Sequence, residues 1–231
     1  MIGVLSDAHG NLAGFLKAVA LLERLGARRY VFLGDAVGYV PCWGVVDELA
    51  RRRDSFTFIR GNHEDALLSG ICTGKDHVYQ HGALHKDLTV ERAAFLRSWH
   101  TSLTLRLPCG DAMLVHGSPT DPQNGYLYPD TPLGDLDIKE PFLFCGHTHR
   151  PFVQNNGKTC VVNVGSCGLP RDDGRYGSAA LLDDESGDIE IVRYELDPES
   201  TAYLSRFDRL HPSVSNLFAR RADGYFGKLY V

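Results

Sequence analysis

The first sixty residues alternate strand-like with helix-like segments, and no other feature narrows the possible folds as far. Residues 2–6, IGVLS, form a short apolar run. Asn11 then offers an N-cap to a helix ending near Gly26, in which Leu12, Phe15, Leu16, Val19, Leu22 and Leu25 recur at helical spacing. A second run at 30–33, a helix over 45–53 and a third run at 56–59 complete a βαβαβ order. Short apolar strands joined through helices predict a parallel sheet with right-handed crossovers.

The pattern then changes. Residues 71–100 are polar, rich in histidine and helical in character, with TVERAAFLRSW (89–99) supplying a capping-type start and an amphipathic body. They read as a helical, lid-like insertion over one edge of the sheet. Six strand-like segments follow, LTLRL, DAMLVHG, PFLFCG, TCVVNVG, YGSAALLD and DIEIVRYEL, joined mostly by short turns such as 108–111 and 185–188. The expected fold is α/β, with two sheets face to face and helices outside. One domain is expected over residues 1–195. Residues 196–231 read as a C-terminal helical tail that packs on that domain or on a partner subunit, so a homo-oligomer stays open.

Composition sets outer limits. With 231 residues, 43% hydrophobic and 23% charged, the chain is long enough to bury a large core. A net charge of −5 gives no electrostatic reason to expect long nucleic acid or an anionic membrane as partner. No apolar run approaches the length of a membrane span. The six cysteines are scattered without a CxxC, and the amino terminus shows no export signal; both predict reduced thiols and a cytoplasmic location.

Chemistry collects at the strand ends. Asp7 and His9 lie in SDAHGN, Asp35 in LGDAVG, Asn62 and His63 in RGNHE, His116 in LVHGS, and His147 and His149 in GHTH. In each, an apolar run gives way to a polar residue beside a glycine, so the chain turns sharply and the side chain projects beyond the sheet, where α/β sheets bind ligands. Asp7 and His9, two residues apart, can reach one ion, whereas His147 and His149 can serve one ion or two. Carboxylate, imidazole and carboxamide donors without thiolate suit Mn²⁺, Fe, Zn²⁺ or Ni²⁺. Asp35 is the natural bridging carboxylate.

In order along the chain, Asp7/His9, Gly34-Asp35, Gly61-Asn-His-Glu64, His116 and Gly146-His-Thr-His149 resemble the D-x-H, G-D, G-N-H-[DE], His and G-H-x-H motifs of the calcineurin-like metallophosphoesterases. The segment NVGSCGLPRDDG (163–174) also looks like the loop that follows GHTH in small prokaryotic phosphodiesterase-like members. The resemblance implies a four-layer αββα sandwich of two mixed β-sheets flanked by helices, with a centre of two divalent metal ions, Mn²⁺ first. Carried over by motif, Asp7, His9, Asp35 and His149 would hold one ion, and Asp35, Asn62, His116 and His147 the other. Asp35 and His63 would be the catalytic residues, with His63 a non-ligand near the leaving group. The implied activity is hydrolysis of a phosphomonoester or phosphodiester, small or nucleotide-like, by a metal-bridging hydroxide. A nuclease on short single-stranded nucleic acid, or a non-catalytic scaffold of the same fold, are the alternatives.

The chain also departs from one branch of that family. GDAVGYV lacks the arginine of the protein-phosphatase pattern G-D-x-x-D-R-G, which leaves Arg60 as the first candidate for a phosphate contact beside Asn62 and His63, with Arg171 and Arg150 behind it. Glu64 is expected either to cap the helix it begins or to fix the ring of His63. His77, His81 and His85 recur at intervals of four, a spacing that predicts one stripe along a helix.

Overall fold

A computed structural model describes residues 1–70, 74–134 and 136–231, so Cys72 and the opening residues of the expected 71–100 insertion lie outside the described residues. The chain opens with β1 (Ile2–Leu5), α1 (Leu12–Arg24), β2 (Arg29–Phe32), α2 (Gly44–Arg51), β3 (Phe56–Phe58) and α3 (Asn62–Ser69). Three short helices follow, α4 (Asp76–Tyr79), α5 (His81–Lys86) and α6 (Val90–Arg97). Strands β4 (Ser102–Leu105), β5 (Ala112–Val115), β6 (Phe142–Cys145), β7 (Phe152–Asn155) and β8 (Cys160–Asn163) come next. The chain ends with β9 (Tyr176–Leu182), β10 (Ile189–Glu195), α7 (Glu199–Leu204), α8 (Pro212–Phe218) and β11 (Lys228–Leu229).

Among the described residues the strands form two mixed sheets, in the orders β11-β10-β9-β1-β2-β3 and β4-β5-β6-β8-β7. Strands β1, β2 and β3 run parallel, as do β5, β6 and β8. Period-two alternation sets the layers. Ile2, Val4, Val31 and Leu33 point between the sheets, where they meet Leu114, Phe144 and Val162. Leu5, Tyr30 and Phe32 point the other way, to Phe15, Val19 and Leu22 of α1. The Asn11 side chain accepts from the Gly14 amide at 3.1 Å and starts that helix as expected. In the αββα sandwich the cover over the five-stranded sheet is an irregular segment, which sets Leu127, Leu133 and Ile138 on Leu143, Cys145 and Val161.

The tail differs from its expected form at its end. α7 and α8 bury Leu204, Val214, Leu217 and Phe218 in the core around α1, but residues 228–229 add a strand to the sheet, parallel to β10. The tail thus docks on its own chain. The histidine stripe is not present either, because Gln80 adopts a left-handed conformation (φ 59°) that ends α4 and starts α5. His77 therefore meets the ring of His211, while His81 turns inward and is buried. No described helix is long and apolar enough to cross a membrane, and the described cysteines, 42, 109, 145, 160 and 167, are unpaired.

Candidate metal centre

The parallel strands of both sheets bring their carboxyl ends together, and the candidate residues leave from those ends. Asp7 follows β1, Asp35 follows β2, Asn62 follows β3, His116 follows β5, and His147 and His149 follow β6. Asp7, His9, Asp35, His147 and His149 all have φ between 49° and 64°. Asp and His enter this left-handed region more readily than most residues, at a cost of about 1–3 kcal/mol each. The surrounding hydrogen bonds offset it. The Asp7 amide donates to Gly34 O at 3.0 Å, that of His9 to Asp35 O at 2.9 Å, and that of His147 to Asp7 Oδ2 at 2.9 Å.

Two of the motif glycines are there because of contact. A Cβ on Gly61 would lie 2.2 Å from Asp35 Oδ1, and one on Gly146 would lie 2.2 Å from Ser6 Oγ and 2.5 Å from Asp7 Oδ2. Glu64 takes the capping role and extends it. Its carboxylate accepts from the amides of Gly61 (2.9 Å), Asp35 (2.8 Å) and Ala36 (2.7 Å), so the helix N-terminus and the Asp35 turn are tied together.

The side chains gather in two adjoining groups, Asp7/His9/His149 and Asp35/His116/His147, with donor atoms inside each within 4.8 Å of one another. Asp35 Oδ2 stands between them, 3.6 Å from His9 Nε2 and 3.2 Å from His116 Nε2. Three rings are oriented by backbone carbonyls. His9 Nδ1 donates to Val37 O (3.0 Å), His116 Nδ1 to Leu33 O (2.7 Å) and His149 Nδ1 to Leu169 O. Their Nε2 atoms are thereby turned into the cluster, as in metal sites whose ligand rings are held through the second nitrogen. His9 Nε2 and His149 Nε2 then face each other at 3.0 Å, and His116 Nε2 faces His147 Nδ1 at 3.0 Å. Two lone pairs at that distance repel unless a proton or a cation lies between them. Asp7 Oδ1, Asn62 Oδ1 and His147 Nε2 are buried without a hydrogen-bond partner among the described residues. These features fit a divalent cation in each group.

The electrostatics agree. Burial alone would raise both carboxyls, yet His116 and His63 hold Asp35, and His149 and His116 hold Asp7, well below the usual carboxylate range. Burial pushes His147 and His149 down to about 4, leaving them neutral and able to ligate. Burial acts on His116 too, but Asp35 and Asp7 outweigh it and lift the ring to about 10, so the carboxylates select for a positive charge at this point.

His63 sits at the same focus, with a ring nitrogen within 4.8 Å of donor atoms on His9 and Asp35 and with its amide donating to Asp35 Oδ1 at 3.0 Å. Burial, reinforced by His9 and His81 and opposed by Asp35, holds its ring well below the usual histidine range. Arg60 lies on the wall of a cavity of about 570 Å³ shared with Asn62, Asp65, Arg97, Gln123 and Asn124. Its guanidinium is paired with Asp65 at 2.6 Å. Arg171 is set differently. It donates to Tyr39 Oη at 2.8 Å, and its charge acts on both His147 and His149.

Sequence reasoning missed Tyr39 and Tyr126. The Tyr39 ring lies 4.8 Å from that of His9 and 5.2 Å from that of His63, and Tyr126, half exposed, lies 4.3 Å from that of His147. Both belong to irregular segments without a spacing signal. Gly38 (φ 92°) marks the turn before Tyr39 (φ 63°), but nothing in the sequence says which ring the turn carries to the histidines.

Known proteins carry the same framework. The crystal structure of protein PH1004 from Pyrococcus horikoshii OT3 matches with a TM-score of 0.80 at 20% identity, covering 100% of both chains. That of a metallophosphoesterase from Sphaerobacter thermophilus matches at 0.77 and 23% identity, covering 94% of this chain and 97% of the other. Likeness at this level shows a common fold. Protein MJ0912 of Methanocaldococcus jannaschii is 28% identical over 218 residues, which cover 85% of this chain and 88% of that one. The sequence pattern of the calcineurin-like phosphoesterase superfamily domain matches residues 1–187, and with it the chain belongs to that superfamily.

Proposed function

We propose that the protein is a binuclear, metal-dependent phosphoesterase that hydrolyses a phosphomonoester or phosphodiester of a small or nucleotide-like substrate. The observation that carries this reading is Asp35 Oδ2, one buried carboxylate oxygen within 3.6 Å of a histidine from each of two donor groups. Two bound divalent ions, Mn²⁺ first, would supply an acidified water as nucleophile and positive charge for the phosphoryl oxygens. Asp7, His9, Asp35 and His149 would hold one ion, and Asp35, Asn62, His116 and His147 the other. His63 would face the leaving oxygen, and the cavity beside Asn62 would receive the leaving group. A complete donor set disfavours the scaffold alternative, and the net charge of −5 disfavours a nuclease.

The test is a panel of p-nitrophenyl phosphate, bis-p-nitrophenyl phosphate, cyclic nucleotides, dinucleoside polyphosphates and short oligonucleotides, assayed with Mn²⁺, together with metal content. Two ions per chain with turnover of a small ester is the expected result. Two ions with no turnover of any substrate would favour the scaffold, and one ion per chain would overturn the binuclear assignment.

The arginines divide the substrate between them. Arg171, which acts on the histidines of both groups, is assigned to the phosphoryl oxygens, and Arg60, held by Asp65, to the leaving-group side. Arg171→Ala is expected to lower kcat/KM at least about tenfold on every ester, a loss of roughly 1.4 kcal/mol. Arg60→Ala should matter little for p-nitrophenyl phosphate and more for larger leaving groups. Kinetics showing the opposite order would exchange the two roles.

A further inference from the structure

We propose that His81 is the positioning residue of His63, fixing both the orientation and the tautomer of that ring so that Nε2 carries the hydrogen offered to the leaving group. The inference rests on the reading above in giving His63 the leaving-group side. It begins at the break between α4 and α5. Gln80 holds a left-handed conformation, and four hydrogen bonds at the break pin it there. Gln80 Nε2 donates to His77 O at 3.1 Å and to Arg209 O at 3.2 Å, Gly82 N donates to Asp76 Oδ1 at 2.8 Å, and Tyr39 N donates to Tyr79 O at 2.8 Å. An uninterrupted helix would have kept His81 in register with His77 and His85. The break delivers it inward, 4% exposed, with Nε2 2.9 Å from His63 Nδ1. Tyr79 comes with it, its ring edge-on to His63 at 4.9 Å.

The direction of that hydrogen bond follows from the unpaired atom. His81 Nδ1 is buried and has no hydrogen-bond partner among the described residues. A buried N–H without an acceptor is rarer and more costly than a bare acceptor, so Nδ1 is the unprotonated nitrogen and Nε2 bears the hydrogen. His81 Nε2–H then donates to His63 Nδ1. In a neutral imidazole the nitrogen opposite an accepting one carries the proton, which leaves His63 with Nε2–H. An apolar residue would fill the site without the unpaired nitrogen; what histidine adds is this donor.

Substitution separates positioning from packing. His81→Gln places an amide N–H where Nε2 stood, whereas His81→Leu fills the space without a donor. Assays compare p-nitrophenyl phosphate, whose leaving group needs little help, with phenyl phosphate, whose leaving group needs more. His81→Leu is expected to lower kcat on phenyl phosphate about tenfold or more and on p-nitrophenyl phosphate less than about threefold, with KM and metal content unchanged. His81→Gln should stay within about threefold of the parent on both. Adding His81→Leu to His63→Ala should cost nothing further, because the two act as a unit. A packing role predicts that Leu serves as well as Gln, and that result would overturn the proposal. Imidazole nitrogen NMR of the zinc-loaded protein reads the tautomer without turnover: Nε2–H on His63, lost in His81→Leu, is expected, and Nδ1–H in the parent would overturn it. If the tautomer is as expected and no ester is hydrolysed, the phosphoesterase reading fails and the His63–His81 pairing stands.

Discussion

Asp35→Asn is expected to reduce bound metal from two ions per chain to one or fewer and to lower turnover by about 10³-fold or more, several kcal/mol of transition-state stabilisation. The physical case lies in the two oxygens. Oδ1 accepts the His63 amide at 3.0 Å, and Oδ2 lies between His9 Nε2 and His116 Nε2. An asparagine must place its NH₂ on one side or the other. Toward His63 it sets donor against donor; toward the histidines it points two hydrogens at the place of a cation. Either choice also removes the charge that two ions would share. Metal analysis and Mn²⁺-dependent hydrolysis check this separately. Full occupancy with full activity would show that Asp35 does not bridge.

Much of the centre is legible in the sequence because close approach forces glycine into the turns that carry the ligands. Gly61 and Gly146 cannot carry a Cβ without striking Asp35 Oδ1 and Ser6 Oγ, so apolar run, glycine and polar residue appear together in the text of the chain. The sheets are legible for a similar reason. Ile2 and Val4 face one layer while Leu5 faces another, and period two survives in four residues. Seven-residue β9 and β10 are buried along most of their length and are legible by length and apolar content instead.

What stays hidden depends on partners far along the chain. HVYQHGALH reads as one helix, with Gly82 as its one weak point. Beside its local hydrogen bonds, the break at Gln80 is held by Tyr39 and by Arg209, about 40 and 130 residues away, and these tertiary contacts override the local preference. The same distance hides the tail strand. Two residues, Lys228 and Leu229, are too few to show a period, and their pairing is decided by the free edge of β10. Arg60 illustrates a different limit: sequence places its Cα beside the motif, but Asp65, five residues on, decides where the guanidinium goes.

His63→Ala divides catalysis from metal binding, since His63 can be grouped with His9 and Asp35 as a third donor or set apart as the group facing the leaving oxygen. Its Nδ1 is taken by His81, which leaves one nitrogen for the reaction. The four donors assigned to each ion do not include it, and Asp35 is shared already. Burial keeps the ring neutral, so it acts through an N–H that stabilises charge on the leaving oxygen. The variant is therefore expected to keep two ions and to lose about 10²–10⁴ in turnover, the range for a positioned acid or donor, with the greater loss on phenyl phosphate. A metal-depleted His63→Ala protein would make His63 a ligand. Equal losses on both esters, with metal retained, would move its contact from the leaving oxygen to the phosphoryl oxygens, where charge develops whatever the leaving group.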